Sequence, residues 1–293
     1  MGVFLWLFLS SIFAFSLSPG FYNGQNLQYA SWDEVAKEIQ SGDILVLGET
    51  HYQWPVSDFQ VHILESLRSL GNKVHVGMEF LDFTKQPLVD ALQDGVLSEK
   101  DFEKQAWEGG DFEFYRRQIL FPQKGLGERL VALNAPRALT RFVARHGLEK
   151  LPDSLRSLLP PNFELGNEKY FERFRKAMSH GIGEEGLRRY FAAQSIWDDT
   201  MAYRASEFLN SVSDGVFVII VGEFHVAYGG GLPDRLQKRI PHRRIWTMSQ
   251  LPDNLVMEDY GPSMDYGQRA GWIYVFNLSD PKKQLRKREK GPN

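Results

Sequence analysis

The sequence predicts an α/β fold: a mostly parallel central sheet flanked by helices, with a helical insert lying as a lid over the C-terminal rim of the sheet. Three observations carry this. Two apolar runs, Asp43 to Gly48 and Val216 to Gly222, are rich in Val, Ile or Leu and end on Gly, as fully buried strands do. A helical segment and a further apolar run follow the first of them at the spacing of a right-handed parallel unit. From Asn167 to Val212 the pattern is helical almost throughout, broken only at His180-Gly181-Ile182-Gly183.

In chain order, residues 1–18 are apolar except for glycine and serines, and Pro19-Gly20 closes the run. The run is short for a spanning helix and reads as a secretory signal peptide, with Ser16-Leu17-Ser18 at the cleavage site. Ser31, with Glu34 three residues on, predicts a capping box for a helix over Trp32 to Gln40. The first apolar strand follows. Asp58 to Leu70 repeats apolar residues at Val61, Leu64 and Leu67, so a helix is expected, closed by Gly71. Lys73 to Phe80 is the second strand. Thr84 to Leu92 is a helix, and Ser98 caps the next with Asp101 at its third position. Glu128 to Leu133 is a strand, and a helix runs from Arg137 to His146.

A Pro- and Leu-rich connector spans Leu151 to Leu165. After the helical pair, Asp214-Gly215 turns the chain into the Val216 strand. Leu232 to Arg239 is a helix, and Arg244 to Ser249 and Trp272 to Phe276 are strands. The organisation expected is a signal peptide over 1–18, one α/β domain over 19–280 with its insert at about 151–212, and a basic disordered tail over 281–293.

Composition excludes several functions. The 293 residues have a formal net charge of -3, which implies no nucleic-acid partner. There is no cysteine, hence no disulfide, thiolate metal site, cysteine nucleophile or lipoprotein attachment of the usual kind. No Gly-x-Ser-x-Gly, His-Glu-x-x-His or phosphate-loop signature occurs.

The two apolar runs both lead into Gly-Glu-x-His: Gly48-Glu49-Thr50-His51 and Gly222-Glu223-Phe224-His225. Ligands of open parallel sheets bind beyond the carboxyl ends of the strands. Glu49, His51, Glu79 (in Gly77-Met78-Glu79-Phe80), Glu223 and His225 are therefore expected on one rim. Such a cluster can hold a divalent metal, through Glu49, His51, Glu79 and His225, or do acid–base chemistry. Glycines 229–231 follow the second motif and suit close approach of backbone or ligand. The insert is aromatic, chiefly for packing between helices. Tyr170, His180, Tyr190 and Tyr203 nevertheless fall where a lid would sit, with Arg173, Arg175 and Lys176 nearby. A tyrosine of this kind can ligate haem iron, and cationic groups can hold propionates.

Taken together, these segments, with Ala132-Leu133-Asn134-Ala135-Pro136-Arg137, the run from Ala193 to Ala202, and Gly222 to Pro233, resemble the ChaN-like haem-binding uptake proteins of the Tiki/erythromycin-esterase-like superfamily. The resemblance covers roughly residues 43–240. It implies an exported, periplasmic or outer-membrane-associated protein of haem and iron uptake, serving an outer-membrane haem uptake system. It also implies haem bound through a tyrosine, with pairing into a homodimer. Tyr170, His180, Tyr190, Tyr203 and Tyr228 are the candidate haem contacts. Relatives in the wider superfamily are hydrolases, which leaves an alternative: an esterase or peptidase using Glu49, His51, Glu79 and His225, with or without a metal. A weaker third reading is a binding module in which these residues only shape a pocket.

Overall fold

The computed structural model describes residues 16–178 and 181–278. Most of the signal-like segment, the basic tail and His180 lie outside them. The strands are β1 (Gly20–Asn23), β2 (Ile44–Glu49), β3 (Val74–Asp82), β4 (Leu130–Asn134), β5 (Val216–Gly222), β6 (Ile245–Pro252) and β7 (Trp272–Phe276). They form one sheet in the order β1-β7-β6-β2-β5-β3-β4. Every neighbouring pair is parallel except β1 with β7.

Strand residues alternate strictly between two apolar faces. Leu45 and Leu47 of β2 join Val218 and Ile220 of β5 on one face, and Ile44 and Val46 join Phe217 and Ile219 on the other. Both faces must then be covered. The first is covered by α1 (Trp32–Glu38), α2 (Trp54–Ser69), α3 (Gln86–Gln93), α4 (Glu99–Ala106) and α5 (Arg116–Leu120). Beyond β4 come α6 (Arg137–His146), the short α7 (Asp153–Arg156) and α8 (Glu168–Met178), then α9 (Glu184–Ser211). Met201, Ala202, Ala205 and Leu209 of α9 pack on the second face beside Leu232 and Leu236 of α10 (Leu232–Arg239). A last turn, α11 (Met257–Tyr260), precedes β7. The helical pair thus has two parts. The C-terminal half of α9 is a sheet-covering layer. Tyr170, Phe171 and Phe174 of α8 close with Leu187 and Phe191 of α9 into a separate small core.

The departures from the sequence expectations have local causes. Ser31 stands at the N-cap of α1, but its side chain makes no capping bond. The helix expected from Asp58 begins at Trp54, because Pro55 fits a first turn whose N–H groups have no helical partner. The same effect of Pro87 starts α3 at Gln86, after a 3₁₀ turn over Phe83–Lys85. Ser98 caps α4 as expected, its hydroxyl accepting from the Asp101 amide at 3.2 Å. The sequence reading missed β1, which is only four residues long and follows directly on the apolar N-terminal run.

Both edges of the sheet are partly covered. Along β4, the Gln86 side-chain amide donates to the Leu130 carbonyl at 3.1 Å and accepts from the Ala132 N–H at 2.8 Å. Gln93 accepts from the Leu130 N–H at 3.0 Å. Two side-chain amides thus stand where a neighbouring strand would bond. At the other edge the chain folds back on β1, with the Ala30 N–H on the Phe21 carbonyl at 2.8 Å and the Asn23 N–H on the Gln28 carbonyl at 2.9 Å. Among the described residues no helix is long and apolar enough to cross a membrane.

Gln86→Ala leaves one carbonyl and one N–H of the β4 edge without these partners. Urea unfolding of the variant is expected to show a loss of about 1–3 kcal/mol. An unchanged midpoint would mean that water replaces the glutamine at no cost.

Candidate functional site

The strand order brings the two Gly-Glu-x-His segments side by side. β2 and β5 are neighbours, with Glu49 level with Gly222. The strand carrying Glu79 runs parallel to β2, as expected, but is not next to it. β5 stands between them, so Glu79 adjoins the second motif.

The two glycines make this contact fit. A Cβ on Gly48 would lie 2.9 Å from the Val226 side chain and 3.2 Å from the Glu223 Cα. A Cβ on Gly222 would lie 2.9 Å from His51 Nε2. Each motif's glycine therefore makes room for the other motif. Past Gly222 the chain turns at once into a 3₁₀ turn over Glu223–His225. Glu223 and His225 thus do not share a face as extended residues would. Glu223 accepts from Arg269 Nη1 at 2.6 Å and from Ser249 Oγ at 3.1 Å. His225 points into the buried cluster.

Glu49 is buried, and its carboxylate is fully engaged. It accepts from the Tyr115 hydroxyl, from Gln60 Nε2 at 2.6 Å and from His51 Nδ1 at 2.9 Å. Burial, then Glu49, pushes the Tyr115 phenol far up, so it remains a donor. Burial works against a charged His51, but the Glu49 hydrogen bond and the Glu79 charge outweigh it and raise the imidazole. The second imidazole lies deeper. His225 Nδ1 meets Asp198 of α9 at 2.7 Å, and Nε2 meets Glu79 at 3.3 Å. Burial again opposes both charges. Glu79 and Asp198 nevertheless lift His225 to about 10, while His225, His51 and the Gly222 N–H hold Glu79 down to about 2. Each partner thus favours the charged form of the other. Gln194 Nε2 lies 3.1 Å from His225 Nδ1, but that nitrogen already gives its proton to Asp198, so the contact is not a hydrogen bond.

Among the described residues no group of three or more His, Asp or Glu is set to hold a metal ion. The metal centre held possible at Glu49, His51, Glu79 and His225 finds no support: Glu49 is taken up by Tyr115, Gln60 and His51, and His225 by Asp198 and Glu79. The chemistry left open is that of His51. A histidine held at Nδ1 by a carboxylate presents Nε2 as a base or as a lone-pair donor.

These residues form the floor of a cavity of about 1120 Å³ beyond the rim. Its walls come from Tyr52 and Phe80, from Arg137 and Arg141 of α6, and from Phe174, Tyr190 and Trp197 of the helical pair. Of the tyrosines expected at a lid, Tyr190 lines the cavity and is 43% exposed. Tyr170 is buried in the small helical core. It donates to Asp198 at 2.8 Å, and burial followed by Asp198 raises its phenol well above the usual value. Tyr203 bonds Glu207 at 2.7 Å and lies on a separate groove with Asp199 and Arg239. The Tyr228 hydroxyl accepts from Arg269 at 3.1 Å, outside the cavity wall. The sequence reading passed over Asp198, Tyr115 and Gln60. Asp198 had one signal, its place in the Ala193 to Ala202 run that carries the family resemblance; by periodicity it is one more polar residue of the helix. Tyr115 and Gln60 had none, since each sits in an ordinary helical or aromatic pattern.

Residues 35–236 match the family described as haem-binding uptake, Tiki superfamily, ChaN. The solved structure titled cofacial heme binding to ChaN of Campylobacter jejuni superposes with a TM-score of 0.64 at 17% identity. That match covers 86% of this chain and 94% of the other, a likeness of fold. Protein RETICULATA-RELATED 5, chloroplastic, of Arabidopsis thaliana is 25% identical over 255 residues. The match covers 78% of this chain, which spans only 34% of that protein's length.

Two outcomes follow from the site geometry. Gly48→Ala forces a Cβ against backbone and a branched side chain and is expected to cost about 1–3 kcal/mol. Gly222→Ala meets side-chain ends, the His51 ring and the Glu79 carboxylate, rather than backbone, and should cost less in thermal unfolding while shifting the His51 ring resonances. Equal costs would refute the interlock. The Glu79–His225 pair should also shape stability against pH. Its Glu79 part is complete above about 4.5 and fades as pH falls toward about 2. Its His225 part is complete below 6.5 and fades as pH rises through about 10. Glu79→Gln should therefore destabilise most between these limits, by about 3 kcal/mol. A difference from wild type that does not vary with pH would show that the pair is not ionised.

Proposed function

The chain belongs to the haem-binding uptake family of the Tiki superfamily (ChaN), and we propose that it takes haem as cargo in the cavity at its sheet rim. One observation carries this reading: the cavity of about 1120 Å³ walled by aromatic side chains, with a part-exposed tyrosine on its helical side. Pockets for drug-sized ligands run to about 1,000 Å³, so there is room for a porphyrin. The donor set also fits. Two tyrosines line the cavity; the Tyr52 hydroxyl accepts from the Gly110 N–H at 2.8 Å, which leaves Tyr190 to supply the phenolate that suits ferric iron. Phe80, Phe174 and Trp197 offer flat apolar surface to the macrocycle. Arg137 and Arg141, at the first turns of α6, offer guanidinium groups to the propionates.

Arg137 already pairs with Glu108 at 3.1 Å, so Arg141 is the freer of the two cations. Tyr170, Tyr203 and Tyr228 are left out of this role, because their hydroxyls are committed to protein partners. In the reading's wider form the chain is exported through its apolar N-terminal run, works in the periplasm or at the outer membrane beside a haem uptake system, and pairs with a second copy at the cavity mouth.

Titrating the purified chain with hemin tests the reading. A Soret band that saturates at a fixed stoichiometry is expected, and Tyr190→Phe should weaken binding at least tenfold, about 1.4 kcal/mol. Arg141→Ala should weaken it several-fold. Absence of a saturable band in the wild type would sink the haem reading. An unchanged affinity and spectrum in Tyr190→Phe would remove Tyr190 alone.

A further inference from the structure

We propose that the β6–β7 side of the cavity rim docks on an anionic phospholipid bilayer, held there by the apolar residues 1–15 and the basic residues 279–293. The inference rests on topology and does not depend on what the cavity takes as cargo. β6 and β7 run parallel to β2, so their last residues, Pro252 and Phe276, stand on the rim that carries the two Gly-Glu-x-His segments. β1 is antiparallel to β7, with Gly20 level with Val275, so the chain enters the sheet at that same rim. Both ends of the described chain therefore lie beside the cavity.

They meet at one residue. The Ser16 hydroxyl donates to the Asp253 carbonyl, and the Leu278 N–H donates to the Asp253 carboxylate at 3.2 Å. The Asp253 N–H in turn donates to the Phe276 carbonyl at 2.9 Å. Buried Tyr260 pins the segment around Asp253: its hydroxyl donates to the Pro252 carbonyl at 2.6 Å and accepts from the Leu255 N–H at 3.2 Å. Leu251, Pro252 and Leu255 of this segment line the cavity. Val256, next in the chain, is 44% exposed, and Leu278 is 45% exposed.

The two ends differ in chemistry and suit one partner. Residues 1–15 hold no charged side chain and include Phe4, Leu5, Trp6, Leu7, Phe8 and Leu9 in succession. Residues 279–293 hold six Lys or Arg against two acids, although Asp and Glu outnumber Lys and Arg in the whole chain, 37 to 34. An apolar anchor or a basic cluster alone binds a membrane marginally, and the two together at one point attach stably. A nucleic acid would answer the basic segment and leave the apolar one in water. Lipid contact is confined to one side of the rim. Arg137, which opens α6 just past β4, lies four strands from β6, about 19 Å at the usual strand spacing. An apolar cargo entering past Leu255 would pass from lipid to protein with little contact with water.

The test mixes the full chain with phosphatidylcholine vesicles, with and without phosphatidylglycerol, and reads binding by flotation. The chain should float with the anionic vesicles and bind the neutral ones about tenfold more weakly or less. Replacing Lys282, Lys283, Arg286 and Lys287 together by glutamine should remove this preference. Leu5→Ser combined with Leu7→Ser and Leu9→Ser should weaken binding to both kinds of vesicle. Because the chain has no cysteine, single labels report its orientation. A polarity-sensitive dye on Val256→Cys should shift to the blue on binding. The same dye on Leu126→Cys, exposed ahead of the amino end of β4, should not. The proposal is overturned if the wild type stays in the aqueous fraction with anionic vesicles, if it binds both vesicles equally, or if the two dyes respond alike. None of these results bears on the haem reading, which the hemin titration decides separately.

Discussion

The site depends on the close approach of two strand ends that carry no side-chain carbon. β2 and β5 lie in register through six residues, and at their carboxyl ends Gly48 and Gly222 let the turn after one strand rest against the histidine after the other. Neither glycine is there for backbone freedom. Gly222 has ordinary extended angles, φ -60 and ψ 144. The missing methyl group is what matters, because a filled position would separate the two motifs by a large part of a hydrogen-bond length. Strand order, burial of both faces and placement of α9 all serve to hold this contact at one rim.

The charges follow from that contact. Burying a carboxylate or an imidazolium alone is costly, so each needs a partner within hydrogen-bond reach. The protein meets this by pairing His225 with Asp198 and Glu79, and His51 with Glu49, across the floor. Tyrosine hydroxyls from Tyr170 and Tyr115 close the two ends. The result is a floor that is nearly neutral in sum yet rigid in geometry. It lies under aromatic walls that are apolar and partly exposed.

Much of this was legible in the sequence. The strands from 43 and 216 and the break between α8 and α9 follow from period and from glycine. The pairing of Glu49 with His51 follows from the two-residue repeat of an extended chain. What failed were inferences needing the third dimension. Glu79 reached the rim as expected, but beside the second motif, because β5 enters the sheet between strands that are consecutive in sequence. His225 reached the rim as expected, but on a 3₁₀ turn that nothing in the sequence pattern announced. Asp198 carries half of the His225 pairing but reads as one more polar residue in a long helix. Helical periodicity alone could not rank the tyrosines. Tyr170 and Tyr190 are both on helices of the same insert, yet one is sealed in a core and the other faces a cavity.

The glutamine locks on β4 and the folded-back chain on β1 take up several of the backbone groups that the edge strands would otherwise offer a neighbour. Strand addition at these groups is thus disfavoured, and outward contacts there rest on side chains. Recognition at such a surface can drift, sharpen or be lost by single substitutions while the main chain stays as it is. The fold can thus keep one floor and let its outward contacts evolve separately.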